Sequence, residues 1–152
     1  MATSDAQPTE IDQATPTPTP IVLHHAHITS ISPESFPDKS KGTVSWQTLL
    51  SSPSTPTNSL TAGIASCPPR GGYLALHRHK QAEIYHVISG RGVVKIEGVD
   101  HEVAGGDVVF IPGDAEHGIW NVSGEEELRW LYCFAVDGFG EVVYRFSGEE
   151  EM

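Results

Sequence analysis

The chain has 152 residues, a length typical of one domain with an extension, and 38% of its residues are apolar. Its 20 acidic and 9 basic residues give a formal net charge of −11, which argues against nucleic acid and anionic membrane surfaces as partners. The 2 cysteines are too few for a disulfide framework, and no stretch approaches the roughly 18 apolar residues of a transmembrane helix. The N-terminus lacks the basic start and apolar run of a signal peptide, so we expect a cytoplasmic protein with reduced thiols.

The N-terminal third of the chain reads as an extension of the main domain. Residues 1–20 repeat Thr-Pro and hold no aromatic side chain, a composition that predicts a disordered tail. Residues 21–59 are expected to form an N-terminal strand followed by loops. Within this range the run TVSWQTLLSS fits either a strand or a single helical turn.

The run IVLHHAHITS, residues 21–30, predicts the first strand and carries a cluster of histidines. Successive side chains of a strand point to opposite faces, so His25 and His27 would share one face and His24 the other. A structural or surface role is therefore favoured over a shared metal site.

Residues 60–146 predict a single all-β domain. They form a series of short runs rich in β-branched and aromatic residues, separated by Gly, Pro, Asp or Ser at regular spacing. This pattern is typical of a sandwich or barrel. In the run ELRWLYCFAV either alternating face fits the interior, and an inward Arg129 would bind a carboxylate. Residues 147–152 form an acidic C-terminal end.

Two segments place potential metal ligands at regular spacings. Their patterns are Gly71-x5-His77-x-His79-x3-Glu83-x6-Gly90 and Gly106-x5-Pro112-x4-His117-x3-Asn121. On a strand His77 and His79 point to the same face, and Glu83 and Tyr85 do so on the next strand. Three imidazoles and one carboxylate can bind one divalent metal and leave coordination positions open.

These segments resemble the two sequence motifs of the cupin superfamily, over about residues 60–136. The first motif is matched in full. In the second, Asp114 stands where the family has a glycine two residues after Pro112, and Gly113 precedes it. The departure concerns the turn before His117. The resemblance implies a double-stranded β-helix, also called a jelly roll, with a metal site inside its wider mouth.

The resemblance also implies a metal-dependent enzyme with a small-molecule substrate. The implied ligands of one divalent transition metal (Fe, Mn, Ni, Cu or Zn) are His77, His79, Glu83 and His117. The substrate would be an oxygenated organic molecule that chelates the metal through two oxygens, and a dioxygenase-type oxidoreductase is favoured. Two alternatives remain: a non-redox isomerase, decarboxylase or lyase that uses Tyr85 or a metal-bound hydroxide as base, and a non-catalytic metal or small-ligand binding module.

Two further expectations follow from the same resemblance. The pattern His-x-His-x3-Glu-x-Tyr is similar to that of cupin-type dimethylsulfoniopropionate lyases, which makes Tyr85 a candidate catalytic residue, although core packing is the favoured role. Cupins often pair by exchanging an N-terminal strand or by stacking barrel faces. We therefore expect a homodimer, with IVLHHAHI as the segment most able to pair with a partner's sheet edge.

Overall fold

The computed structural model describes residues 17–149, and antiparallel β-strands are its main regular structure. The strands are β1 (Glu34–Ser35), β2 (Ser45–Leu50), β3 (Thr61–Cys67), β4 (Tyr73–Arg78), β5 (Glu83–Ser89), β6 (Arg91–Ile96), β7 (Val99–Ala104), β8 (Val108–Ile111), β9 (His117–Asn121), β10 (Leu128–Phe134) and β11 (Arg145–Phe146). One α-helix, α1, spans His25–Ser30, and short 3-10 helices span Lys39–Lys41 and Phe139–Glu141.

The strands form two sheets that enclose one core. The six-stranded sheet has the order β1-β2-β3-β10-β5-β8, and the five-stranded sheet has the order β11-β4-β9-β6-β7. Buried apolar side chains of both sheets pack into a single cluster. The jelly-roll fold predicted from the sequence is confirmed. Of the predicted tail, residues 1–16 lie outside the described part, and residues 17–20 are exposed and have no regular structure.

Strand β10 shows which of its two faces lines the interior. Burial alternates along it, and Leu128, Trp130, Tyr132 and Phe134 are all buried. Arg129 lies on the outer face, where its Nε is 3.7 Å from a carboxylate oxygen of Glu127. This orientation keeps a guanidinium in water and buries apolar surface, which is the less costly arrangement. Arg129 therefore does not bind a carboxylate inside the barrel.

The segment that fitted either a strand or a helical turn is strand β2. It pairs with β3 from Ser45 opposite Ser66 to Thr48 opposite Gly63. Trp46 pairs with Ala65, which is buried, and therefore lies on the interior side of the sheet. The position of β2 brings this tryptophan to the cavity described below.

The prediction of a strand over residues 21–30 is wrong. Residues 21–24 have no regular structure, and His25–Ser30 form the helix α1. The side-chain Nε2 of Gln47 donates to the carbonyls of Ile28 and Ile31, at 2.9 and 2.8 Å. Gln47 on β2 is thereby tied to the C-terminal end of α1, where the Ile28 carbonyl also accepts from the Ile31 amide at 3.2 Å.

The homodimer stays a prediction, but the segment IVLHHAHI, which was expected to mediate it, does not form a strand. The edge of the six-stranded sheet next to β2 is occupied by β1 of the same chain.

Across residues 17–149, no helix is both long enough and apolar enough to cross a bilayer.

Gly63 gives a test of how tightly β2, β3 and β10 pack. A Cβ added there would overlap sterically with the Tyr132 hydroxyl and would lie 2.6 Å from the carbonyl oxygen of Gln47. We expect Gly63→Ala to lower the free energy of unfolding by about 1–3 kcal/mol, because overpacking forces neighbouring groups apart. Urea unfolding measures the change. Gly124→Ala is the control, since no atom lies within 4 Å of its added Cβ. Equal unfolding midpoints for both variants would contradict this packing.

Candidate metal centre

The structure brings the four residues predicted as metal ligands together at one end of the barrel. His77 on β4 pairs directly with His117 on β9 in the five-stranded sheet. Glu83 begins β5 in the other sheet, and His79 lies in the short connection between β4 and β5. All four side chains are buried, with exposed fractions of 0–3%. The group therefore joins the two sheets, so it forms only when the barrel closes.

Backbone carbonyls fix the orientation of each imidazole. Nδ1 lies 2.7 Å from the Ala75 oxygen in His77, 2.9 Å from the Gln81 oxygen in His79, and 2.9 Å from the Ala115 oxygen in His117. A carbonyl oxygen only accepts, so each Nδ1 carries the hydrogen and donates it. In the neutral rings this leaves a lone pair on each Nε2.

The Nε2 atoms point towards one another and towards Glu83. One ligand atom from each of His77, His79 and His117 lies within 4.8 Å of the others. Oε2 of Glu83 is 3.1 Å from Nε2 of His79 and 3.2 Å from Nε2 of His117. The buried Nε2 of His77 has no hydrogen-bond partner.

This donor set fits a cation. Lone pairs on Nε2 and a carboxylate oxygen are all acceptors, so they can lie this close only with a proton or a metal ion between them. Burial, followed by the neighbouring His117, lowers the pKa of His77 well below its ordinary value, which disfavours a proton on that ring. The three-histidine group can thus hold a metal ion, and Glu83 lies in contact with it.

Asp114, which stands where the motif has a glycine, takes a left-handed backbone conformation. Its φ is +62°, in the left-handed region that aspartate tolerates better than most residues. Its amide donates to the carbonyl of His79 at 2.8 Å, and its carbonyl accepts from Nη1 of Arg78 at 2.8 Å. Its carboxylate bonds Arg145. The departure from the motif therefore keeps the turn and ties it to the connection that carries His79.

A cavity of about 210 Å³ lies next to Glu83 and Tyr85. Its lining is mainly aromatic and apolar, formed by Phe36, Val44, Trp46, Ala65, Leu74, Glu83, Tyr85, Trp130, Tyr132, Phe139, Val142 and Tyr144. Among these residues Glu83 carries the one charged side chain, and none is basic. The cavity is large enough only for a small organic molecule, and two residues of its lining, Glu83 and Tyr144, contact the histidine group.

Tyr85 faces this cavity, as its two-residue offset from Glu83 predicts. It is 1% exposed, and its ring centroid is 6.3 Å from that of His117. Burial, followed by the charge of Glu83, raises the pKa of the Tyr85 hydroxyl well above its ordinary value. Both causes favour the protonated phenol.

Tyr144 is a site residue that was not singled out from the sequence. Its ring stacks on His77, with centroids 4.6 Å apart and planes 8° from parallel. Val142, Tyr144 and Phe146 alternate with exposed residues. This two-residue alternation is the sequence signal that could have identified Tyr144 as an inward-facing residue. The stack fixes one face of the His77 ring and joins the metal centre to the cavity wall.

The remaining polar candidates have structural or surface positions. The Asn121 amide donates to the carbonyls of Cys67, Pro68 and Glu126 and accepts from the amide of Ser123, so this side chain bonds the backbone. The three histidines near the N-terminus, His24, His25 and His27, are exposed. They do not form a group that can hold a metal within residues 17–149.

Comparisons with known proteins agree with this architecture. The family model described as "Cupin domain" matches residues 63–134. Dimethylsulfoniopropionate lyase DddW of Ruegeria pomeroyi is 42% identical over 110 residues, which cover 72% of this chain and 70% of that protein.

Two solved structures are similar as well. A predicted oxalate decarboxylase from Thermotoga maritima superposes with a TM-score of 0.64 at 28% identity, covering 76% of this chain and 99% of that one. The polyketide cyclase RemF from Streptomyces resistomycificus superposes with a TM-score of 0.68 at 18% identity, covering 86% of this chain and 89% of that one. Together with the fold and the histidine group, these matches show that the chain belongs to the cupin superfamily.

Proposed function

We propose that this cupin is a metal-dependent lyase that cleaves dimethylsulfoniopropionate. The observation that carries the proposal is the 42% identity to dimethylsulfoniopropionate lyase DddW over 72% of the chain. The sequence alone favoured a dioxygenase, and this relative instead favours the lyase among the alternatives left open. Tyr85, one of the two bases that the non-redox alternative allowed, lines the cavity together with Glu83.

The charge of the cavity also supports this substrate. Dimethylsulfoniopropionate carries a sulfonium at one end and a carboxylate at the other. The lining offers one carboxylate, aromatic rings and no basic side chain. A cationic group is therefore better accommodated there than a second anionic group, because a buried anion without a partner is costly.

The residues of the site fit an elimination reaction. A base removes a proton from the carbon next to the substrate carboxylate, and that C–H electron pair forms the C=C bond. The C–S bond breaks, and dimethyl sulfide leaves with its electron pair, so the products are acrylate, dimethyl sulfide and a proton. We assign the base to Tyr85, which lines the cavity with Glu83 and whose ring centroid is 6.3 Å from that of His117.

His77, His79, Glu83 and His117 would hold the metal ion. A bound divalent ion would supply Lewis-acid polarisation of the substrate carboxylate. Burial, followed by the negative charge of Glu83, raises the pKa of the Tyr85 hydroxyl, and the charge of the ion would offset the second of these causes. Tyr144 keeps the His77 ring in place by stacking.

Oxalate decarboxylation is the second candidate, because a predicted oxalate decarboxylase is among the similar structures. Oxalate is a small dianion, and no basic residue lines the cavity to bind its second carboxylate. The lining therefore favours the lyase. The open cavity beside Glu83 also favours a catalytic site over a binding module whose interior is filled by side chains.

The metal site is tested by removing single ligands. We expect His77→Ala and Glu83→Ala to abolish stoichiometric metal, because each removes one acceptor from a set that is buried and preorganised. Metal analysis of the purified protein measures the loss. His86→Ala is the matched control, since His86 is exposed on the same strand as Glu83. Full metal content in both ligand variants would show that the ion binds elsewhere.

The role of Tyr85 is tested with Tyr85→Phe, which removes only the hydroxyl. We expect kcat for dimethyl sulfide release to fall by about 100- to 10,000-fold, the usual contribution of a general base, while metal content is unchanged. Gas chromatography of the released dimethyl sulfide measures the rate. The control is Tyr73→Phe, whose hydroxyl donates to the Lys39 carbonyl away from the cavity. Near-normal kcat in Tyr85→Phe would assign the base to a metal-bound hydroxide instead.

A further inference from the structure

Half of the cavity lining comes from outside the part of the chain that matches the cupin family model. The model matches residues 63–134. Phe36, Val44 and Trp46 precede this range, and Phe139 and Tyr144 follow it together with Val142. The metal ligands and Tyr85 all lie inside the matched range. The shared domain therefore supplies the reactive groups, and the flanking segments supply much of the surface that faces the substrate.

Four of these flanking side chains form one aromatic wall, which consists of Phe36, Trp46, Phe139 and Tyr144. Ring centroids are 4.9 Å apart between Phe36 and Trp46, and 6.4 Å apart between Trp46 and Phe139. They are 6.2 Å apart between Phe139 and Tyr144, and 6.4 Å apart between Tyr144 and Phe36. Each ring is thus within packing distance of two others, which fixes their orientation.

Hydrogen bonds between the two flanking segments hold the wall in position. The amide of Phe139 donates to Oγ of Ser51 at 2.9 Å, and the amide of Ser52 donates to the carbonyl of Asp137 at 2.9 Å. The N-terminal segment is also tied to the barrel, since the amide of Val44 donates to the carbonyl of Tyr73 at 3.1 Å. The wall is therefore preorganised and does not depend on a ligand for its shape.

The cavity is chemically different at its two ends. Tyr144 stacks on His77, so the wall begins at the metal centre, and Phe36, Trp46 and Phe139 continue it away from that centre. A carboxylate fits the end where the histidines can hold a cation. The group at the other end of the same molecule then lies against aromatic rings, whose faces attract positive charge.

We propose that the aromatic wall is a subsite for an onium group, and that it selects the substrate by positive charge rather than by shape alone. The proposal rests on the proposed function for the identity of the onium group, a sulfonium. It assigns specificity to Phe36, Trp46 and Phe139, which lie outside the shared domain. Quaternary ammonium compounds of the same length and with a terminal carboxylate are expected to bind in the same way.

A pair of isosteric ligands tests the subsite by binding alone. The first, 3-(trimethylammonio)propionate, carries a positive charge, and the second, 4,4-dimethylpentanoate, has carbon in place of the nitrogen. Both present the same carboxylate to the metal centre. Titration calorimetry with the full chain in its metal-bound form is expected to show about 10-fold tighter binding of the charged ligand. Equal affinities would overturn the proposal.

Variants of Trp46 locate the effect. Trp46→Leu is expected to remove most of the preference for the charged ligand, and Trp46→Phe, which keeps an aromatic face, is expected to retain most of it. The control is Trp120→Leu, because Trp120 stacks on Tyr73 on the opposite side of its strand from the interior residue Ile119. If Trp46→Leu does not fold, Phe36→Leu tests the same wall. An unchanged preference in the folded wall variant would overturn the assignment.

The same measurements separate this proposal from the proposed function. A preference for the charged ligand without release of dimethyl sulfide from dimethylsulfoniopropionate would support the subsite and contradict the lyase. Release of dimethyl sulfide without any preference between the isosteres would support the lyase and contradict the subsite.

Discussion

The metal centre depends on three hydrogen bonds from imidazole Nδ1 atoms to backbone carbonyls. Each histidine bonds a carbonyl two residues away: Ala75 for His77, Gln81 for His79 and Ala115 for His117. These bonds place the ring hydrogen on each Nδ1. The lone pair is therefore on Nε2, the nitrogen that points inward. Because Glu83 adds a further acceptor at the same point, the barrel mouth contains a buried set of acceptors that only a cation satisfies.

The sequence predicted this group from one local pattern and one resemblance. Two-residue alternation on β4 and β5 aims His77, Glu83 and Tyr85 inward, whereas the place of His117, which pairs with His77 in the sheet, was implied by the resemblance to the cupin motifs. The replacement of the motif glycine by Asp114 was the uncertain step. Aspartate adopts the same left-handed conformation, and its contacts with Arg78, His79 and Arg145 stabilise the turn that precedes His117.

The features that the sequence did not predict depend on contacts between distant residues. The side chain of Gln47 binds two carbonyls at the C-terminal end of the helix over residues 25–30, a contact that the local pattern IVLHHAHITS does not reveal. Phe36 lies next to a two-residue strand, and Phe139 lies in a 3-10 helix. Neither position has a periodicity that marks it as interior, and the bond from Phe139 to Ser51 joins residues 88 positions apart.

This difference explains why the reaction type could not be derived from the ligand set. Three histidines and a glutamate can support oxygen activation, decarboxylation or elimination, since these chemistries need only a Lewis acid with open positions. What distinguishes them is the surface that the substrate meets beyond the metal. In this protein that surface is built largely by segments flanking the shared domain, and it combines aromatic rings with a single carboxylate. Arg129 lies on the outer face, and no basic side chain lines the cavity, so a second carboxylate would be buried without a partner. Under the proposed function, the flanking segments would therefore restrict a versatile metal centre to substrates that place a cationic or apolar group against the wall.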